Sequence, residues 1–205
     1  MSTVIDLPST FGQIDIYLFD QLLKGRITAR DRVLDAGCGS GRNLLYLMKM
    51  GCVVSAVDAN PAAVAGVREL AAELGTGLPA GNFRVEPIDA LSFADGSFDV
   101  VISSAVLHFA RDDAHFEAMV GQMWRVLRSG GMFFARLAST VAMAGDIRPL
   151  GNGHFILPDG SDRYLVTPEG LELLTSRLGG QLLDPIKTTV VHGQRSMTTW
   201  VVRKT

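Results

Sequence analysis

The stretch Val33-Leu34-Asp35-Ala36-Gly37-Cys38-Gly39-Ser40-Gly41-Arg42 leaves this chain few folds to choose from. Apolar residues ending on an acid read as the tip of a buried strand, and the alternating glycines that follow make a turn. The turn runs straight into Asn43-Leu44-Leu45-Tyr46-Leu47-Met48, apolar at helical spacing. Strand, glycine turn and helix together cradle a nucleotide-like ligand, because only glycine lets backbone lie so close to one and the helix start presents free N–H groups. The pattern is D-x-G-x-G-x-G. The dinucleotide fingerprint G-x-G-x-x-G would need its third glycine at position 42, where this chain has Arg42.

The rest of the chain repeats the strand-then-helix rhythm. Ile14, Tyr17, Leu18 and Leu22 share one face of a helix that precedes the first strand, spanning about 11–25 with Gly25 as its stop; Ser2 to Phe11 ahead of it read as loose. Val53 to Val57 form a second strand ending on Asp58, and Asn60-Pro61 caps the helix behind it. Asn82 to Val85 form a short third strand leading to Asp89-Ala90, and Phe98 to Ser103 a fourth. Asp112 or Asp113 caps a long helix, which Gly130-Gly131 closes, and Met132 to Arg136 form the fifth strand. An insert at about 137–167 carries a hairpin around Pro158-Asp159-Gly160-Ser161. Thr167-Pro168 caps one more helix. The chain closes with Thr188–Val191 and Thr198–Val202, whose short link through His192-Gly193-Gln194-Arg195 requires antiparallel pairing. The expectation is one α/β domain over 1–205, a doubly wound and mostly parallel sheet with a reversed strand at its end.

Composition excludes several alternatives. Over 205 residues the formal net charge is −2, with the basic residues scattered, so no stripe of Lys and Arg is available to track nucleic acid or coat an anionic membrane. Cys38 and Cys52 make neither a disulfide framework nor the paired spacing of a zinc site, and no metal is expected. Asp112-Asp113 reads as a pair of helix-capping acids rather than metal ligands. No leader and no run of roughly 20 apolar residues is visible, so the reading is cytoplasmic, without membrane or nucleic-acid partner.

The glycine turn, together with acids at the next strand ends, resembles motif I and its successors in the class I S-adenosylmethionine (SAM)-dependent methyltransferases. The segment from Phe98 to Phe109 is similar to that of small bacterial single-domain enzymes that methylate metabolites. The resemblance implies a Rossmann-like sheet of order 3-2-1-4-5-7-6 with the last strand antiparallel. It also implies a site. Asp35, Gly37, Cys38, Gly39 and Gly41 would meet the amino-acid part of SAM, with Asp35 near its ammonium. Asp58 and Ala59 would meet the ribose, Asp89 and Ala90 the adenine, and Ser103 and Ser104 would lie beside the reactive methyl.

The acceptor side is read more from position. His108, just past the fourth strand, is a candidate general base; a loop histidine bonded to backbone is the alternative. Tyr17, Arg136, His192 and Arg195 are candidates to face the substrate, with Arg148, His154, Arg163 and Tyr164 available from the insert. The loop after the fourth strand, Ser103-Ser104-Ala105-Val106, lacks the [N/D]-P-P-[Y/F] sequence shared by methyltransferases of nucleic-acid bases and glutamine. The reading is therefore methyl transfer from SAM to a small molecule, with S-adenosylhomocysteine as product. A non-catalytic SAM-binding sensor or partner subunit is the alternative, and an NAD(P)-dependent oxidoreductase a third.

Overall fold

In the central strands, neighbouring residues are buried on opposite faces of the sheet, which is why these strands read as continuous apolar runs. Leu34, Val101 and Phe133 join one core cluster. Val33, Val100, Ile102 and Phe134 join the other. The computed structural model describes residues 6–143, 145 and 147–205. In chain order its elements are α1 (Leu7–Phe11), α2 (Ile16–Leu23), β1 (Arg32–Ala36), α3 (Leu44–Met50), β2 (Val53–Asp58), α4 (Pro61–Glu73), β3 (Phe83–Val85) and β4 (Phe98–Ser104). Then follow α5 (Asp113–Val126), β5 (Leu127–Ala138), β6 (Arg148–Gly151), β7 (His154–Ile156) and β8 (Asp162–Tyr164). α6 (Pro168–Arg177), β9 (Gly180–Leu182), β10 (Lys187–Val191) and β11 (Arg195–Lys204) complete the chain. Short 3-10 turns cover Ile88–Ala90 and Leu107–Phe109.

The main sheet runs β10-β11-β5-β4-β1-β2-β3. β1 to β5 are mutually parallel, and β11 is antiparallel to β5. Counting β10 as the sixth strand and β11 as the seventh, this is the 3-2-1-4-5-7-6 order expected. The sequence gives no hint of β9, which pairs with the far end of β11 at Val202 to Lys204 while β10 pairs with its near end. No helix among the described residues is long and apolar enough to cross a membrane.

Three local expectations need correction. The helix before β5 does not run to Gly130-Gly131: it stops at Val126, and β5 already begins at Leu127. Phe98 pairs with Leu127, and the Asp99 carboxylate on β4 takes Arg128 at 2.5 Å and Arg32 at 3.0 Å, so strand pairing wins over the local glycine signal. The segment ahead of the first long helix is not all loose, since Leu7–Phe11 makes a short turn of helix; residues 1–5 of that call lie outside the described set. The N-terminal helix itself is shorter than 11–25, because Asp15 caps it by accepting the Tyr17 N–H at 2.9 Å.

The hairpin of the insert forms with Ile156 opposite Asp162, and β6 adds a third strand to it. The insert leaves and rejoins the main body side by side, through a bridge between Ser139 and Val166. Tyr164 ties it to α5 by donating its hydroxyl to Asp113 at 2.7 Å.

Candidate functional site

The carboxyl ends of the parallel strands open on a cavity of about 930 Å³. Open parallel sheets bind ligands at this edge. The glycine turn forms one wall. Gly37 and Cys38 both donate their N–H groups to the Val57 carbonyl, at 2.9 and 3.0 Å, which straps the turn to β2. Gly37 has φ +85°, and a Cβ there would lie 2.5 Å from Val106 Cγ2. Gly39 is also left-handed at φ +50°, but nothing lies within 4 Å of the position its Cβ would take. Gly41, expected at the ligand, instead faces α4, where a Cβ would meet Val67 at 3.0 Å; it is absent from the cavity wall among the described residues. The Asp58 carboxylate stands at the tip of β2. It accepts from Gly39 N–H and from Asn60 N–H, each at 2.9 Å, and lines the cavity beside Ala59. Cys38 is on the wall too, its thiol pushed up to about 12 by burial and then by Asp35 and Asp58.

Asp89 lines the next stretch, from the 3-10 turn after β3. His115 Nε2 lies 3.4 Å from it. His115 Nδ1 accepts the Arg111 N–H at 3.0 Å, which assigns the ring proton to Nε2, the nitrogen nearer Asp89. Sequence reasoning missed His115. The available signal was the Asp112 cap, which accepts His115 N–H at 2.7 Å and so puts that residue in the first turn of α5. Ala90 does not join the wall, where Pro87 and Ile88 precede Asp89.

Asp35 and Ser103 do not reach the cavity either. Asp35 is 1% exposed, and neither carboxylate oxygen finds a hydrogen-bond partner among the described residues. Burial pushes its pKa up to about 7, against the pull of Arg42, with Asp58 adding a like charge. The Ser103 hydroxyl is likewise buried and unpartnered among the described residues. Ser104, one residue on and on the opposite face, lines the cavity. It accepts from Arg42 at 2.9 Å and donates to Asp15 at 3.0 Å. Asp15, with a fully buried side chain, also takes Arg136 at 3.1 Å and lies 3.7 Å from Arg42. One carboxylate thus fixes two arginines at the ends of β1 and β5. Neither Asp15 nor Arg42 was a candidate from sequence, since their meeting is tertiary.

The far wall comes from the loop after β4, the insert and the β10–β11 turn. Ala105 takes φ +65°, an uncommon conformation for a residue with a Cβ. The turn it makes brings Val106 over Gly37 and leaves His108 and Phe109 on the wall. His108 is 7% exposed, and its Nδ1 has no partner among the described residues, so it does not make the bond to backbone that was the alternative for this nitrogen. Burial, then Arg163 and Arg195, push its pKa down to about 4, so the ring is neutral at physiological pH. Arg136 and Arg195 line the cavity as expected, and Arg163 joins them from β8. His192 does not; it is an exposed turn residue at φ +48°. Tyr17 stands behind the wall, its hydroxyl bonded to Thr189 and its ring under Arg136 at 5.3 Å. Of the other insert residues, His154 is held by Asp162 at 2.6 Å, Tyr164 by Asp113, and Arg148 is exposed on β6.

Residues 34–135 match a family described as a methyltransferase domain. The chain is similar to the ubiquinone biosynthesis O-methyltransferase of Brucella anthropi, at 28% identity over 162 residues, or 77% of this chain and 63% of that protein. It thus spans less than two thirds of that relative's length. In fold it is similar to the PH0226 protein of Pyrococcus horikoshii, with a TM-score of 0.73 and 20% identity over 97% of this chain and 96% of that one. It is also similar to the 1,6-didemethyltoxoflavin-N1-methyltransferase of Burkholderia thailandensis, solved with 1,6-didemethyltoxoflavin and S-adenosylhomocysteine, with a TM-score of 0.67 and 22% identity over 92% and 76% of the two chains.

Proposed function

We propose that this chain is a class I SAM-dependent methyltransferase that moves a methyl group from SAM to a small organic acceptor, leaving S-adenosylhomocysteine; the methyltransferase-domain match over residues 34–135 and the fold support this reading. One observation carries the reading: the glycine turn and the His108 wall share a single cavity of about 930 Å³. Small-molecule sites run to roughly 300–1,000 Å³, so this one has room for donor and acceptor together. A protein that only sensed SAM would have no use for space beyond the donor. Similarity to the Brucella O-methyltransferase supports oxygen as the receiving atom.

The residues present suit the donor. Gly39 leaves open space where any other residue would put a Cβ, so backbone can lie against the amino-acid part. Arg42, on the wall beside the turn, offers a cation to a carboxylate. Asp58 spends one lone pair of each oxygen on the loop and keeps the others for ribose hydroxyls. Asp89, with His115 Nε2 3.4 Å away, is an acceptor for an exocyclic amine. When bound, SAM supplies a sulfonium-activated methyl, transferred by in-line displacement with the thioether as leaving group. The protein's own task is then alignment and the exclusion of water. His108 offers an uncharged imidazole to the acceptor. With its pKa near 4 it serves as a hydrogen-bond partner at Nδ1 more than as a strong base.

Calorimetry with SAM, S-adenosylhomocysteine and NADP tests this reading. Binding of the first two and not the third is expected; NADP binding without SAM binding overturns it.

A further inference from the structure

Arg136, Arg163 and Arg195 reach the cavity wall opposite α4, and among the described residues only Arg136 of these three is in an ion pair. Arg136 has the buried Asp15 at 3.1 Å. Arg163 gives Nη1 to the Asp162 backbone carbonyl at 2.6 Å and lays its guanidinium over the Phe109 ring, 4.8 Å from the centroid. Arg195 stands at the start of β11, paired through its backbone with Val191. The one acid on this part of the wall, among the described residues, is Asp159 at the hairpin tip. Its carboxylate is exposed, accepts from the Ser161 N–H at 2.9 Å and the Ser161 hydroxyl at 2.6 Å, and feels the charge of Arg163 and Arg195 without an ion pair to either among the described residues.

His108 shares this wall and feels the charge of both arginines, with its ring 4.6 Å from that of Phe109 and Nδ1 unpartnered among the described residues. Leu157, Leu165, Val191 and Met197 supply apolar surface around them. Guanidinium groups carry donors and no acceptor, so whatever meets Arg163 and Arg195 must be rich in acceptors. Arg163 is half-buried and Arg195 exposed, both on the wall of one cavity, and an anion between them would offset two like charges at once. Resting on the methyltransferase reading, we propose that the acceptor is a small organic anion with an apolar body, a carboxylate or an ionised hydroxyl, whose charged end lies between Arg163 and Arg195 beside His108. The charge of Arg163 and Arg195, which adds to burial in keeping His108 neutral, favours the ionised form of an acidic hydroxyl held between them. A strong general base is then unnecessary.

The test uses the full chain saturated with S-adenosylhomocysteine and three probes of one size, benzoate, benzamide and 4-nitrophenol at pH 8, with affinity read from NMR shifts. At least one anion should bind five-fold or more tighter than benzamide. Preference for benzoate assigns the site to carboxylates, and preference for 4-nitrophenolate to acidic hydroxyls. In the Arg163→Gln/Arg195→Gln double variant that preference should vanish, S-adenosylhomocysteine affinity should stay within two-fold, and the His108 ring should titrate closer to 6.5. Equal binding of benzamide, no binding of either anion, or a preference that survives in the double variant overturns the proposal. Failure of S-adenosylhomocysteine to bind the unmodified chain is a separate result, and it overturns the methyltransferase reading instead.

Discussion

The Asp58 carboxylate holds the Gly39 N–H at 2.9 Å, so the tip of β2 fixes the glycine turn that follows β1. Two strand ends are thereby made into one rigid wall. Asp58→Ala should weaken S-adenosylhomocysteine binding by about 1–3 kcal/mol, the loss expected for hydrogen bonds to a charged group. Calorimetry on a variant whose circular dichroism is unchanged checks this, and unaltered affinity would remove Asp58 from the ribose role.

Gly37 and Gly39 should fail in different ways. Gly37→Ala drives a methyl to within 2.5 Å of Val106 on a left-handed backbone. It should cost roughly 1–2 kcal/mol for the backbone and about 1–3 more for overpacking, seen as a lowered urea midpoint. Gly39→Ala meets no atom of the protein, so it should lose only the backbone part, roughly 1–2 kcal/mol, together with affinity for S-adenosylhomocysteine. Equal stability losses at the two positions would contradict the geometry.

Asp35 and His108 set opposing pH slopes. Asp35 has a folded pKa near 7 against its ordinary 3.8, so its contribution to stability is complete below about 3.8 and is lost as pH rises through 7. His108 has a folded pKa near 4 against its ordinary 6.5, so its contribution is complete above 6.5 and is lost as pH falls through 4. Each slope amounts to something on the order of 2–4 kcal/mol, and between pH 4.5 and 6.5 they largely cancel. Asp35→Asn should therefore become more stable as pH rises over that window, and His108→Gln less stable. Denaturant titrations at several pH values read both, and parallel profiles for the two variants would refute the assignment.

Asp15→Asn should cost less than the roughly 3–5 kcal/mol of a fully buried pair, because it leaves a half-buried Arg136 without its counter-charge. Adding Arg136→Met should recover part of that loss. A double-mutant cycle measures the coupling, and strict additivity would mean that the pair contributes nothing.

The main sheet was legible because its central strands are buried on both faces and run out at acids, as at Asp35 and Asp58. Asn60-Pro61 and Thr167-Pro168 marked helix starts for the same local reason: a side-chain acceptor followed by a residue with no N–H to lose. What escaped was non-local. Leu127 is extended because Phe98 pairs with it, although the sequence around Gly130 argues for a continuing helix. Asp15, Arg42 and Arg136 lie far apart in the chain, and nothing in their own neighbourhoods announces that they meet. The direction of a side chain at a strand end was equally hidden: Asp35 turns into the protein and Ser104, not Ser103, faces the cavity.

The bridge between Ser139 and Val166 has a consequence for how such a chain can change. Thr140 donates to the Val166 carbonyl at 3.0 Å, and Val166 donates to that of Ala138 at 3.3 Å, so the two ends of the insert are already neighbours. Closing a detour between adjacent points costs little more entropy when the detour is lengthened. Its residues can then be exchanged without moving the strand ends that carry the glycine turn. The fold is in this sense modular: one fixed donor-handling sheet with a replaceable cassette, open to grafting from another chain and to divergence by insertion.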